Sequence, residues 1–223
     1  MIAINIQLSI VGFSQTLPFE ARFGLASNYS KLKGSGKLEE ISFERNLQKP
    51  TIYVGFSYIA SKRIGISLDY IPEVLSTNYA IPSIDINGND ISLEYKTEAV
   101  YSTFKIHPSF LFYKNVILSI GTTISILHMD RWRLLNLNDF SVPTFAPSYG
   151  EFDYKPFNIG LEVGLMQPLF SWKLSRIDLG LFYNNGLINI NKNNENPLLT
   201  SNFGVKLYWN VNLQKRMKKE KED

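Results

Sequence analysis

Two histidines occur in the chain, and one of them, in His107-Pro108-Ser109, stands two residues from a serine. Side chains two apart on a β-strand share a face. An imidazole and a hydroxyl so placed could serve as base and nucleophile, and Glu162, on a face of the same parity, could orient the ring. Both groups must reach a substrate for that chemistry. Because the pair sits close to a turn and on the side of its strand that carries small polar residues, it reads better as an internal hydrogen-bonding couple. The other histidine, His128, stands alone near a strand end and reads as an interfacial side chain. Asp85, Asn87, Asn89 and Asp90 offer oxygens to a calcium ion, but Gly88 does not fall where a calcium loop needs its glycine. A polar hairpin tip is the simpler reading. Cysteine is absent, which excludes disulfides and thiolate metal sites. No nucleotide, dinucleotide or zinc-protease spacing is present, and no cofactor or metal is expected.

A second group of residues is conspicuous for its isolation. Glu20, Arg22, Asp69, Lys105, Glu162, Asp178 and Lys206 interrupt stretches otherwise made of Gly, Ser, Thr and Asn. Lys105, Glu162 and Lys206 each lie about seven residues from one end of their segments and Asp69 about five, at a rise of ~3.3 Å per residue. If these segments form a closed barrel, the charges meet in one internal layer, a charge network of paired cations and carboxylates that would plug the interior.

The elements that must position them are strands, since the hydrophobic period is two nearly throughout. Phe19, Ala21, Phe23, Leu25 and Tyr29 alternate with Glu20, Arg22, Gly24 and Asn28; Ile52 to Ala60 repeats the pattern, and Ser61-Lys62-Arg63 turns into Ile64, Ile66, Leu68 and Tyr70. A long excursion through Pro72 and Pro82 follows, with Asn87-Gly88 as a hairpin-tip signal. Val100 to Phe112, Val116 to Ile126, Phe157 to Leu169, Ile177 to Tyr183 and Leu199 to Leu213 complete eight alternating segments. The second-to-third, fourth-to-fifth and sixth-to-seventh links are short, and the other four are long. Short and long alternate as in outer-membrane barrels, which have an even strand number, short periplasmic turns and long outer loops.

A soluble ligand carrier of the lipocalin kind also alternates, so the composition of the two faces has to discriminate. A water-facing surface would be roughly 25 to 35 per cent charged, whereas the polar positions here are mostly small. The other face is uniformly Leu, Ile, Val and aromatic, intolerable in water and required in lipid. Aromatics collect at both strand ends, as membrane interfaces select. The expected class is therefore an all-β protein, an eight-stranded antiparallel up-and-down transmembrane β-barrel. No run approaches the roughly 18 apolar residues of a membrane helix.

Phe23-Gly24-Leu25, Ile159-Gly160-Leu161, Leu179-Gly180-Leu181 and Phe203-Gly204-Val205 repeat one pattern, and in it the chain resembles the small outer-membrane β-barrel proteins over Phe19 to Leu213. The architecture is that of the OmpA transmembrane domain and OmpX, and the style is that of PorT-type barrels. The resemblance implies a Gram-negative outer-membrane location and, through the PorT type, an association with protein secretion for which no residue here speaks. It also sharpens the enzymatic alternative: outer-membrane lipid A deacylases use a His and a Ser two apart on a strand face, as in His107 and Ser109. Members often end on an aromatic residue, whereas this chain continues past Trp209 into a charged segment.

Three segments are expected: residues 1–15 as the remnant of a signal peptide whose start lies upstream, with an apolar stretch from Ile2 to Phe13; residues 16–213 as the barrel; and residues 214–223 as a charged periplasmic tail. The tail holds five Lys/Arg against three acids and so carries +2 of the +3 net charge, leaving the body near neutral and unlike a nucleic-acid binder. Expected partners are outer-membrane lipid and, through the outer loops, a protein or a glycan, with the barrel a monomer. Trp132, Phe140, Phe145 and Tyr149 in the long loop from Met129 to Tyr154 are the binding candidates, because exposed aromatics anchor interfaces. The favoured function is a structural or loop-binding barrel without an open pore. A lipid-modifying hydrolase and a soluble carrier are the alternatives.

Overall fold

A computed structural model of the chain describes residues 19–34, 42–43, 46–61, 63–84, 88–113, 115–135, 154–172, 174–192 and 197–213. Eight long strands run through them: β1 Phe19–Gly34, β2 Thr51–Ile59, β3 Ile64–Ile84, β4 Asp90–Tyr113, β5 Val116–Leu134, β6 Phe157–Ser171, β7 Ser175–Gly186 and β8 Leu198–Asn212. Each pairs antiparallel with the next, and β8 returns to β1 with Glu20 opposite Asn212 and Gly34 opposite Leu198. The sheet is therefore closed. Two short pieces, Ser42–Phe43 and Asn46–Leu47, add to β3 and β1 respectively.

The register fixes the shape of the cylinder. Ala21 pairs with Phe56, Phe56 with Leu68, Leu68 with Ile106 and Ile106 with Thr122. Thr122 then pairs with Leu161, Leu161 with Asn185, Asn185 with Ser201, and Ser201 with Lys31. One circuit thus arrives ten residues (31 − 21) further along β1. A shift of that size over eight strands corresponds to a tilt of about 40°, within the range of closed barrels.

Alternation then sorts the side chains. Phe23, Ile52, Leu68, Ile106, Ile120, Leu161, Leu181 and Leu207, one from each strand, are all exposed on the outside. Arg22, Asp69, Lys105, Glu162, Asp178 and Lys206 are all buried inside. An apolar calyx would need the reverse arrangement, so the soluble-carrier alternative does not fit this interior. The lumen is filled. One buried cluster of Ala26, Tyr53, Ile71, Ile117, Met166 and Tyr208 lies toward the short turns, and another, with Leu32, Tyr79, Leu93, Ile190 and Leu198, closes the end of the long connections. Ile190 belongs to the link between β7 and β8 and is held there by backbone hydrogen bonds from its own N–H to the Leu198 carbonyl (2.9 Å) and from the Lys155 N–H to its carbonyl (2.6 Å).

Two connections differ from expectation. The excursion through Pro72 and Pro82 is not a loop: β3 runs to Ile84 and pairs with β4 residue for residue from Ile64 opposite Phe110 to Ile84 opposite Asp90. Beyond Tyr70, β2 no longer accompanies β3, and a strand edge is where a sheet tolerates proline. The hairpin turns at Gly88, whose φ of 84° is the left-handed conformation that a glycine tip supplies. Likewise β5 continues to Leu134, because β4 extends beside it and offers partners as far as Tyr95. Trp132 is accordingly a strand residue opposite Thr97, not a loop residue. Phe140, Phe145, Tyr149, Asp85, Asn87, the leader and the tail lie outside the described residues.

Small residues are required where the wall meets lumenal side chains. A Cβ added at Gly160 would stand 2.6 Å from Thr123 Oγ1, 2.7 Å from Asn184 Oδ1 and 3.0 Å from the Asn185 carbonyl. The crowding would come from the flanking strands, not from the opposite wall. Gly160→Ala is therefore expected to cost about 1 to 3 kcal/mol in urea unfolding from lipid vesicles. An unchanged midpoint would mean that this approach is looser than drawn.

Candidate functional site

The lumenal ion pairs occupy three tiers, and Glu73 lies apart from them, accepting from Asn202 at 2.9 Å and from Thr103 at 3.0 Å. At the short-turn end Arg176 on β7 donates from Nε to Asp178 at 2.8 and 3.0 Å, with Glu20 at 3.7 Å. Asn210 also donates to Asp178 Oδ2, at 2.9 Å. In the next tier Arg22 pairs with Asp69 at 3.2 Å and lies over the Tyr208 ring at 4.2 Å. Tyr53 completes this tier by donating its hydroxyl to the Leu207 carbonyl at 3.1 Å. The third tier is centred on Glu162, which accepts from Lys105 at 2.8 Å through one oxygen and from Lys206 through the other. Lys206 also lies 4.3 Å from the centre of the Phe182 ring.

The expected single layer is thus divided. Lys105, Glu162 and Lys206 meet, but Asp69 turns to Arg22, although its Cα is the register partner of Lys105. Two lysines already saturate Glu162, and the guanidinium offers Asp69 a cation of its own. Arg176, the partner that joins Glu20 to Asp178, is not marked as lumenal by the strand pattern because it follows directly on the β6–β7 turn. Its parity with Asp178, two residues on, was the available signal. The inward aromatics Tyr53, Phe182 and Tyr208 carry the right parity too, but aromatic type argues for the lipid face and masks it.

His107 is buried in the third tier with Nε2 at 3.5 Å from Glu162, and among the described residues that nitrogen has no hydrogen-bond partner. A Cβ on Gly121 would collide with its ring and with the Ile106 carbonyl. Ser109 lines a cleft at the short-turn end together with Arg22, Ser57 and Arg176. The imidazole therefore faces a carboxylate held by two ammonium groups in a filled lumen, which is no place to receive a lipid.

The polar cluster at the outer rim is assembled differently. His128 Nε2 lies 2.6 Å from Ser102 Oγ, and the Tyr70 hydroxyl lies 3.0 Å from the same oxygen. These residues come from β5, β4 and β3. Ser102 and His128 are 26 positions apart, so no local spacing announces them. Above them Glu98 accepts from Arg131 Nε at 2.7 Å and pairs with Lys96 at 2.7 Å. The hydrogen bond from Lys96, and then that from Arg131, holds its carboxyl below the usual range.

Closure with eight antiparallel strands, three tight turns at one end, a continuous apolar exterior and a packed polar interior define the class: a small transmembrane β-barrel of the outer-membrane type. No protein-family model and no curated protein matches the sequence. Among solved structures, the chain is similar to Neisserial surface protein A (13% identity, covering 87% of this chain and 97% of that one, TM-score 0.41). It is similar also to Ail, the attachment invasion locus protein of Yersinia pestis (11%, 86% and 99%, TM-score 0.37). A third is the outer membrane protein OprG from Pseudomonas aeruginosa (10%, 87% and 96%, TM-score 0.41). The class rests on the closed register and the lipid-facing exterior, not on these likenesses.

Proposed function

We propose that this chain is an ion-tight outer-membrane barrel that acts at its outer face and not through its lumen. The observation that carries this reading is the third tier, where Lys105, Glu162 and Lys206 come from three strands, meet across the interior and are each at most 4% exposed. An eight-stranded barrel is just wide enough for side chains to fill, so three linked tiers and an apolar end cluster oppose hydrated ions. Binding then falls to the outer connections and to the rise of β3, β4 and β5 beyond the shorter strands, with outer-membrane lipid and a protein or glycan as partners and a monomeric barrel as the unit. Trp132, Phe140, Phe145 and Tyr149 are the aromatic candidates for that contact.

Planar-bilayer recording of the refolded protein tests the closed lumen. Wild type should give a silent membrane across a wide range of voltage. Reproducible step conductance from heat-modifiable, folded protein would overturn the reading.

A further inference from the structure

A filled lumen leaves the exterior as the place where this barrel could meet a substrate, and the cluster of Ser102, His128 and Tyr70 is the one described above that pairs a hydroxyl with an imidazole outside. On β4 the outward residues below Ser102 include Phe104, Ile106 and Phe110, all exposed and apolar. Beyond Val100 they turn to Glu98 and Lys96, which form the ion pairs of the rim. Ser102 lies eleven residues (113 − 102) above the end of β4 at Tyr113. At ~3.3 Å per residue and a tilt of about 40°, this is roughly 28 Å up, against an apolar band about 25 Å tall. The cluster therefore sits at the boundary between hydrocarbon and headgroups on the side of the long connections, the depth at which acyl esters of outer-leaflet lipids lie.

We propose that Ser102 and His128 form a nucleophile and base that hydrolyse carboxylic esters of outer-leaflet lipids. With the ring proton on Nδ1, Ser102 donates to His128 Nε2 at 2.6 Å and accepts from the Tyr70 hydroxyl at 3.0 Å. The serine proton passes to Nε2 as Oγ bonds to the ester carbonyl carbon, and the electron pair of the C=O moves to its oxygen. When that pair returns, the bond to the lipid alcohol breaks and the alcohol leaves with the proton from Nε2. Water then gives a proton to the same nitrogen as its oxygen bonds to the acyl carbon, and when the C–Oγ bond breaks Oγ takes that proton back, which releases the fatty acid and restores the Ser102 hydroxyl and the neutral imidazole. The hydrogen bond from Tyr70 at 3.0 Å fixes the orientation of Oγ toward the leaflet. Arg131, 67% exposed at its side chain, places a cation at headgroup height beside this centre. Access is lateral, from the leaflet, which the lumenal His107 cannot have.

The test uses the whole refolded protein in two kinds of vesicle, one of dipalmitoyl phosphatidylethanolamine and one containing lipopolysaccharide, with fatty acid release followed by mass spectrometry. An alkyl fluorophosphonate is added in parallel, and its adduct is mapped by peptide. Release and a Ser102 adduct are expected, and the vesicle type that supports release identifies the ester source. Ser102→Ala should abolish both, and His128→Ala should slow both by roughly 10²- to 10⁴-fold, while heat-modifiable mobility stays that of the folded barrel. A purely structural rim cluster would leave no adduct and no release in either vesicle. That result, or release at the wild-type rate from folded His128→Ala, overturns the proposal.

Discussion

Glu162→Gln is expected to destabilise the barrel by on the order of 3 to 5 kcal/mol, because it removes the one carboxylate that compensates two buried ammonium groups. Glu162, Lys105 and Lys206 are 2%, 2% and 4% exposed, so water cannot take over the lost partner, as it would for an exposed rim pair such as Arg131 with Glu98, where under about 1 kcal/mol is at stake. The Phe182 ring beside Lys206 offers some relief, though a cation over an aromatic face is worth only about 0.5 to 2 kcal/mol. The compensating variants follow from the geometry. Lys105→Met with Glu162→Met removes one pair but strands Lys206, and so should restore part of the loss. Adding Lys206→Met removes the last uncompensated charge and should restore most of it, since well-packed apolar residues often replace a buried ionic group at no net cost. Urea unfolding from vesicles ranks the four proteins, and bilayer recording shows whether the loosened tier admits ions. Wild-type stability and a silent membrane in Glu162→Gln would mean that the tier does not hold the lumen.

The second large effect lies on the other side of the same strand. Val163 is outward, 39% exposed, and midway between the exposed rings of Phe157 and Phe170, which places it near the bilayer midplane. Val163→Arg should cost about 2 to 4 kcal/mol, the range for a cation at that depth. Leu161→Arg, two residues nearer the outer rim, should cost less, because the long side chain can carry its charge toward the headgroups. The cause differs from that at Glu162: a new charge enters hydrocarbon, whereas there an old one loses its partner. Equal stability of Val163→Arg and wild type in bilayers would mean that the lipid-facing assignment of β6 is wrong.

The class of the protein was legible in its sequence because a barrel wall is a local pattern. Every second residue faces lipid, so Phe23-Gly24-Leu25 or Ile159-Gly160-Leu161 declares strand, facing and environment without reference to any distant residue. The short links after β2, β4 and β6 follow from the same local reading. Where the pattern is weak the local signal falls short of the strand: Pro72 and Pro82 predict a loop, yet β4 supplies β3 with a continuous partner up to Ile84. The extension of β5 past Met129 likewise depends on the neighbouring strand and not on its own residues.

Parity alone determined which charges enter the lumen. Which of them meet was decided by the closed register, since tilt and the ten-residue shift set the heights at which side chains from separate strands converge. Asp69 and Lys105 are direct partners in the ladder, yet their carboxylate and ammonium belong to different tiers because Arg22 and Glu162 approach from strands far away in sequence. The approach of His128 to Ser102 is likewise a property of the paired strands, invisible to any spacing rule. Sequence by itself determined the wall, its two faces and its environment, because those follow from a period of two; the tertiary structure decided the contacts between strands, because those depend on how the wall closes on itself.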